Sequence, residues 1–258
     1  AGGFDYSWSP DGKWFTLRFI GNKHDPYSDI GLVSAQGGEI TNLTNSGYTS
    51  TSPQWVLDGN AILFTTERYG MRAHASWGSL NDAMLVFMNQ DAYDKFRLSK
   101  EDYELEKEQK EVTGDKTGDK KKEDKADGKK DEKPKDIVVE LKGIQDRILR
   151  LTPNSSEMGS AVISKNGETL YYFSAFEDKY DLWKMDLRKK ETKLLHKMNT
   201  GWANMEMDKE GKNLFLLGSN SMQKMDMGSE KLTPIHYQAN LKMDLAAERE
   251  YMFDHVYK

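Results

Sequence analysis

The sequence predicts an all-β chain folded as a β-propeller. About four four-stranded antiparallel blades are expected in a partial or open ring, with one long charged insertion and a short C-terminal helix. The first supporting observation is a polar turn phrase that occurs four times. It reads Trp8-Ser9-Pro10-Asp11-Gly12-Lys13, Trp55-Val56-Leu57-Asp58-Gly59-Asn60, Ile163-Ser164-Lys165-Asn166-Gly167-Glu168 and Met207-Asp208-Lys209-Glu210-Gly211-Lys212. The second is that each phrase opens a β-rich run, and an alternating run follows it. The third is the step between the phrases: their glycines stand at 12, 59, 167 and 211. Steps of about 45 residues match one propeller blade, and the long middle step carries about sixty extra residues.

The turns come first in the argument. Glycine enters the φ > 0 region without a Cβ clash, and Asp or Asn before it tolerates the same region. The runs behind the turns are 14–19, 61–66, 169–174 and 213–218. Alternating strands follow them, for example Asp29 to Val33 and Asp181 to Met185, each opened by a polar residue, and Met222 to Asp226. Period-two alternation marks a strand with two unlike faces. A last strand is expected to close each unit on Leu43-Thr44, Leu151-Thr152-Pro153, Leu194-Leu195 and Leu232-Thr233-Pro234. The blades then occupy 1–244, in units of about 1–46, 47–153, 154–198 and 199–238. Trp8, Trp55 and Tyr171-Tyr172-Phe173 are read as rings that fill the wedges between blades.

The insertion spans 91–136. Its first part reads as helix: Tyr93 and Phe96 stand three apart, and Ser99-Lys100-Glu101-Asp102 resembles a capping box. Its second part, Asp115 to Lys135, holds nine Lys and seven Asp or Glu in twenty-one residues. A stretch so poor in apolar groups cannot offset the entropy of ordering and is expected to be disordered. Its interleaved acids argue against a nucleic-acid arm. Asp244 caps a second predicted helix, Leu245 to Tyr257, with Met252, Phe253, Val256 and Tyr257 on one face. It reads as the start, 245–258, of a following helical domain.

Composition narrows the function classes. The 258 residues carry 37 basic and 42 acidic side chains for a formal charge of −5, so no basic field for nucleic acid is expected. There is no cysteine, which excludes disulfides and thiolate metal sites. No apolar run approaches the roughly 20 residues of a membrane span. The chain opens at Ala1 without a signal pattern and stops at Lys258 inside a helical phrase. It reads as a piece excised from a longer protein.

Catalytic signatures are sparse. His74-Ala75-Ser76-Trp77-Gly78 lacks the first glycine of a nucleophile elbow, and no strand-to-helix context surrounds it. His24-Asp25 with Asp29 is the best local set of ligand types, but it has no metal-binding spacing. No catalytic residue, metal or cofactor is expected. The most function-like phrase is Glu67 to Gly78. It gathers Arg68, Arg72, His74 and Trp77 on one connection between strands. Arg and aromatic side chains carry interface and peptide-carboxylate contacts, so these four are the candidate binding residues. A loop closing over the blade edge is the plainer reading of the same residues.

The Asp-Gly turns resemble TolB-like propeller repeats. More specific is an ordered set: Gly70 to Ser79, Ala92-Tyr93-Asp94-Lys95-Phe96, the charged insertion, Arg147 to Pro153, and Glu248 to Tyr257. Together these resemble bacterial tricorn-type serine peptidases, particularly those of Bacteroidetes. The resemblance implies propellers ahead of a helical domain, a PDZ domain and a protease core that holds the catalytic residues. It implies a non-catalytic role for this portion. The propeller would gate or guide peptide or unfolded-protein substrates and scaffold the protease core. A periplasmic location is implied as well, with cytoplasm the alternative, and a homo-oligomer is compatible with the role. Two other readings stand beside it: a stand-alone TolB-like protein-binding propeller, and the propeller of a dipeptidyl-peptidase-like hydrolase.

Overall fold

A computed structural model of the chain describes residues 5–21, 27–72, 78–112, 136–219, 221–238, 240 and 242–257. Four antiparallel four-stranded sheets follow one another along the chain as propeller blades, each with its strands in sequence order. Blade 1 holds β1 (Tyr6–Trp8), β2 (Trp14–Phe19), β3 (Asp29–Ser34) and β4 (Thr41–Asn42). Blade 2 holds β5 (Ser50–Val56), β6 (Ala61–Thr66), β7 (Asp82–Phe87) and β8 (Ile148–Arg150). Blade 3 runs through β9 (Glu157–Ile163), β10 (Thr169–Ala175), β11 (Tyr180–Asp186) and β12 (Glu191–Thr200). Blade 4 runs through β13 (Ala203–Met207), β14 (Asn213–Gly218), β15 (Ser221–Asp226) and β16 (Leu232–Pro234).

The repeated phrase makes the first hairpin of each blade. Gly12, Gly167 and Gly211 sit at φ of 68°, 72° and 69°. Their N–H groups donate to Ser9, Ser164 and Asp208 carbonyls at 2.9, 2.8 and 3.0 Å. Asp11 and Asn166 accept from the Ser9 and Ser164 hydroxyls, both at 2.6 Å. In blade 4, Asp208 replaces the serine and takes the Lys212 and Asn213 N–H groups directly. Blade 2 departs from the pattern: Leu57, Asp58 and Gly59 are all left-handed and form a 3-10 turn.

Two of the expected closing strands fall elsewhere. The fourth strands of blades 1 and 2 end before Leu43-Thr44 and Leu151-Thr152. Leu43 and Leu151 are buried instead, and their N–H groups still bond Ile30 and Ala83 carbonyls at 2.8 and 2.9 Å. The threonines serve as clasps. Thr44 donates to the Asp29 carboxylate at 2.7 Å and Thr152 to that of Asp82 at 2.8 Å, while each hydroxyl also accepts the next backbone N–H of the third strand. Hydrogen-bond demand of a buried carboxylate thus outweighs strand propensity at these positions.

Three apolar clusters join neighbouring blades. Ile62, Phe64, Met84 and Val86 meet Ile30, Leu32 and Leu43 between blades 1 and 2. Leu63, Leu85 and Phe87 meet Ile163, Leu170 and Tyr172 between blades 2 and 3. Tyr171, Phe173 and Leu182 meet Met205, Leu214 and Leu216 between blades 3 and 4. Among the described residues these clusters join blades 1 to 2, 2 to 3 and 3 to 4 of the ring of sheets. Polar ties reinforce it: Trp55 Nε1 donates to the Ser7 carbonyl at 3.1 Å, Asn81 and Ser156 exchange backbone bonds, and Lys184 pairs with Glu230. Burial depresses the Lys184 ammonium's pKa, but its bond to Glu230 and the nearby Tyr171 and Asp186 outweigh that and leave it raised.

The packing corrects one aromatic assignment. Tyr171, Tyr172 and Phe173 are buried between blades and Trp55 is half-buried there. Trp8 is 54% exposed. It pairs across the sheet with Phe15, ring centroids 5.2 Å apart, on the face opposite Trp14. Trp14 faces blade 2, so Trp8 faces outward, where no described blade covers it.

The insertion leaves after β7 as two helices, α1 (Gln90–Arg97) and α2 (Lys100–Val112). Asn89 caps α1 by accepting the Ala92 N–H at 2.8 Å. The Ser99 hydroxyl caps α2 by accepting the Asp102 N–H at 3.1 Å. The highly charged stretch expected to be disordered lies outside the described residues. The chain returns through Ile137 and Val139, which pack on the blade 1–2 cluster. Arg147, buried, ties this return with bonds to the Phe87, Lys142 and Glu140 carbonyls. A third helix, α3 (Leu245–Val256), is capped by Asp244 and leaves Met252, Phe253 and Val256 exposed.

Truncating a buried ring between blades should cost far more than truncating the outward one. Tyr172→Ala is expected to lose about 3–5 kcal/mol and Trp8→Ala about half that or less, read from urea unfolding midpoints. Equal losses would mean that Trp8 is covered.

The turns also predict an acid limb. Partial burial raises the Asp11 carboxyl, but bonds from Ser9, Ile137 and Lys13 outweigh it and hold its pKa below the usual value. A depressed folded pKa stabilises above the unfolded value and the gain vanishes as pH falls through the folded one. Asp11→Asn should therefore unfold at lower urea than the parent at pH 7. The gap should close below pH about 4, the ordinary carboxylate range. A gap independent of pH would sink this account.

Candidate functional site

The connection between β6 and β7 carries the predicted binding phrase. It begins buried: Glu67 accepts the Thr49 N–H at 3.0 Å, and its own N–H donates to the Thr49 carbonyl. Gly70 then lies against Leu80, where an added Cβ would stand 2.3 Å from the Leu80 carbonyl oxygen. Only glycine permits that approach. Between these fixed points the chain presents Arg68 and Tyr69 to solvent, with Arg72 exposed just beyond. His74 and Trp77 lie outside the described residues, as do Ser76, His24 and Asp25.

Tyr69 is the centre of this edge. The Arg68 guanidinium carbon is 5.8 Å from its ring centroid and that of Arg150 is 4.5 Å away. Arg150 is held in turn by Asp82, which accepts from its Nε at 3.1 Å and its Nη2 at 2.8 Å. Thr152 and Ser155 hydroxyls complete the shell of that fully buried carboxylate at 2.8 and 2.7 Å. An aromatic ring flanked by cations on a rigid edge suits a carboxylate-bearing or amide partner, since guanidinium and ring offer charge and a flat face together.

Sequence reasoning missed Tyr69 and Arg150. Tyr69 stood inside the chosen phrase, but Arg150 comes from β8, and its link to Asp82 spans 68 residues. The one local signal was the polar residue opening β7. Asp29, named beside His24 as a ligand type, is committed within blade 1: it is buried and accepts from Thr44, Asn42 and the Ser46 N–H. Among the described residues no group of three His, Asp or Glu side chains could hold a metal ion.

A second recess lies where blade 2, blade 3 and the inserted helices meet. It is open to solvent and has a volume of about 350 Å³. Leu57, Phe87 and Phe96 form apolar wall, Tyr103 closes it from α2, and Asp58, Asp91, Lys95, Lys165 and Arg188 supply charge. Arg188 fastens the helices to blade 3, donating through Nη1 to the Phe96 and Leu98 carbonyls at 2.7 and 3.0 Å.

No protein-family model matches the chain. One curated relative, the uncharacterized peptidase YuxL of Bacillus subtilis (strain 168), is 39% identical over 61 residues, which is 24% of this chain and 9% of the relative. The solved tricorn protease is similar over 90% of this chain and 22% of its own, with a TM-score of 0.56 and 10% identity. TolB from Acinetobacter baumannii is similar over 90% of this chain and 43% of its own, with a TM-score of 0.53 and 11% identity. This chain thus spans under half the length of each. At such identities the structural likeness shows a shared propeller fold, and function has to be argued from the site.

The Asp82 shell generates a prediction. Asp82→Ala leaves the Arg150 cation without its buried partner and should cost about 3 kcal/mol. Thr152→Val, which removes one donor, should cost about 1 kcal/mol. Chemical denaturation checks both, and near-equal losses would show that the charge pair is not what holds the edge.

Proposed function

We propose that this propeller is the non-catalytic part of a tricorn-like serine peptidase, and that it guides peptide or unfolded-protein segments toward a protease core that it scaffolds. The observation that carries the proposal is the 61-residue match to a peptidase in a chain whose described blades form a propeller. The resemblance of Gly70 to Ser79 and Arg147 to Pro153 to tricorn-type peptidases supports the same reading. Arg150 of the second phrase lies against Tyr69, the residue just before the first.

The chemistry of the edge fits the role. Arg68, Tyr69 and Arg72 are exposed on a connection whose ends are fixed, so a passing peptide meets pre-positioned groups and loses little entropy ordering them. His74 and Trp77 belong to the same proposed contact surface. The parent's PDZ and protease domains would be the partners within the chain, and the periplasm its compartment. Among the described residues no helix is long and apolar enough to cross a membrane. The likeness to TolB favours a second reading, a propeller that binds a folded protein partner without any peptidase.

The purified chain should bind unfolded peptides, followed by fluorescence anisotropy, without cleaving them. The double variant Arg68→Ala, Arg72→Ala should weaken binding at least threefold, about 0.7 kcal/mol. Cleavage lost on Ser76→Ala would overturn the non-catalytic reading. Unchanged affinity of the double variant would remove the edge from it, and binding only to a folded protein would favour the TolB-like alternative.

A further inference from the structure

We infer that the recess between blades 2 and 3 is a second binding site, for a monocarboxylate that carries an apolar or aromatic group. The inference stands independently of the peptidase reading, because it rests on one guanidinium and its surroundings.

The Arg188 side chain is positioned before any ligand arrives. Nη1 is fixed by the two carbonyls at the end of α1. The guanidinium carbon lies 4.3 Å from the Tyr103 ring centroid and 5.6 Å from that of Phe96. The other edge of the group is unspent. Nε is buried without an acceptor, and Nη2 makes no hydrogen bond among the described residues. A guanidinium with donors left over in a partly desolvated site is poorly satisfied, and an anionic oxygen at Nη2 would relieve it.

The neighbours refine the ligand class. Lys95, one turn of α1 away from Asp91, also lines the recess and forms no ion pair among the described residues. Lys165 donates instead to the Lys209 carbonyl of blade 4. Asp58 and Asp91 line the same recess, so its charge is mixed. The three cations Lys95, Lys165 and Arg188 exceed the two carboxylates by one charge, which favours a single negative charge and opposes phosphates or dicarboxylates. Leu57, Phe87 and Phe96 supply an apolar wall for the remainder of the ligand. The volume of about 350 Å³ is at the lower end for small-molecule sites and suits a ligand of amino-acid size. Two sources share this chemistry: a free amino- or keto-acid with an apolar side chain, and the C-terminal residue of a peptide.

The test uses the whole chain and titration calorimetry. The probes are N-acetyl-phenylalanine, its amide, and a hexapeptide ending in Phe with a free or amidated C-terminus. At least one free acid should bind, and its amide at least tenfold more weakly. Lys95→Gln should weaken the acid severalfold. Arg188→Gln should weaken it tenfold or more. Because Arg188 also anchors α1, the helical circular-dichroism signal of both variants is compared with the parent, and Lys95→Gln keeps the test decisive if Arg188→Gln loosens the helices. The Arg68→Ala, Arg72→Ala variant should bind these probes as the parent does, which separates this site from the blade edge. Binding of the acetylated amino acid points to a small carboxylate, and binding of the hexapeptide alone points to a peptide terminus; either supports the site. No binding of either acid at millimolar concentration, equal binding of acid and amide, or indifference to Lys95→Gln would overturn it.

Discussion

Blades 1 and 2 depend on a buried carboxylate at the head of the third strand. Asp29 and Asp82 are almost wholly excluded from water and each is satisfied by a threonine that follows the fourth strand. In blade 3 the half-buried Asp181 holds the fourth strand directly, accepting the Met198 and Asn199 N–H groups at 2.7 and 2.8 Å. An unsatisfied buried carboxylate is costly, so these residues accept only a chain path that brings donors to them. That path is the return of the fourth strand to the edge of its own sheet. The clasp therefore closes blades 1 and 2 through polar specificity, while the apolar faces between blades supply most of the burial. Removing either would be felt differently: the clasp sets which segment pairs at the edge, and the wedge of rings and aliphatics sets how neighbouring blades approach.

Blade 2 shows how much extra chain this scheme tolerates. The whole insertion sits between β7 and β8, yet β8 still pairs with β7 in register, Val86 opposite Ile148 and Met84 opposite Arg150. Loop-closure entropy grows only slowly with length, so the excursion is compatible with a stable blade provided both its ends are fixed. They are fixed on opposite sides. The outgoing helices lean on blade 3 through Arg188, and the returning segment packs in the blade 1–2 groove, where the Ile137 N–H bonds Asp11 at 3.0 Å. The insertion straddles blade 2 and touches both neighbours.

This geometry explains what could be read from the sequence. The turns were legible because Gly12, Gly167 and Gly211 satisfy a local requirement, and the strands behind them because alternation is a local pattern. Ser99 and Asp102 announced a helix start for the same reason. Trp8 was misread because a large ring signals a sheet face but does not say whether a neighbour covers that face. Leu43-Thr44 and Leu151-Thr152 were misread as strand because their propensity is β, whereas their positions are decided by Asp29 and Asp82. The contacts that build the candidate sites were illegible: Arg150 to Asp82 and Arg188 to Leu98 join residues 68 and 90 apart. No local period encodes such a link.

The two candidate sites differ in how they hold a cation, and that difference bears on what each can bind. Arg150 spends its Nε and Nη2 on Asp82, so its positive charge is largely answered, and what remains at the surface is mainly its stacking on Tyr69. Such an edge offers a flat, weakly charged platform together with the exposed Arg68 and Arg72. Breadth of contact is the chemistry expected of a guide for many peptide sequences. Arg188 is answered only by two neutral carbonyls, which orient it without neutralising it. A carbonyl lowers the cost of burying a guanidinium but leaves its net charge for a partner. The recess is thus selective for charge and size where the edge is permissive. The two lie at opposite ends of blade 2, the edge beyond Thr66 and Asp82 and the recess beside Ala61 and Phe87, so neither can substitute for the other in contacting one short ligand.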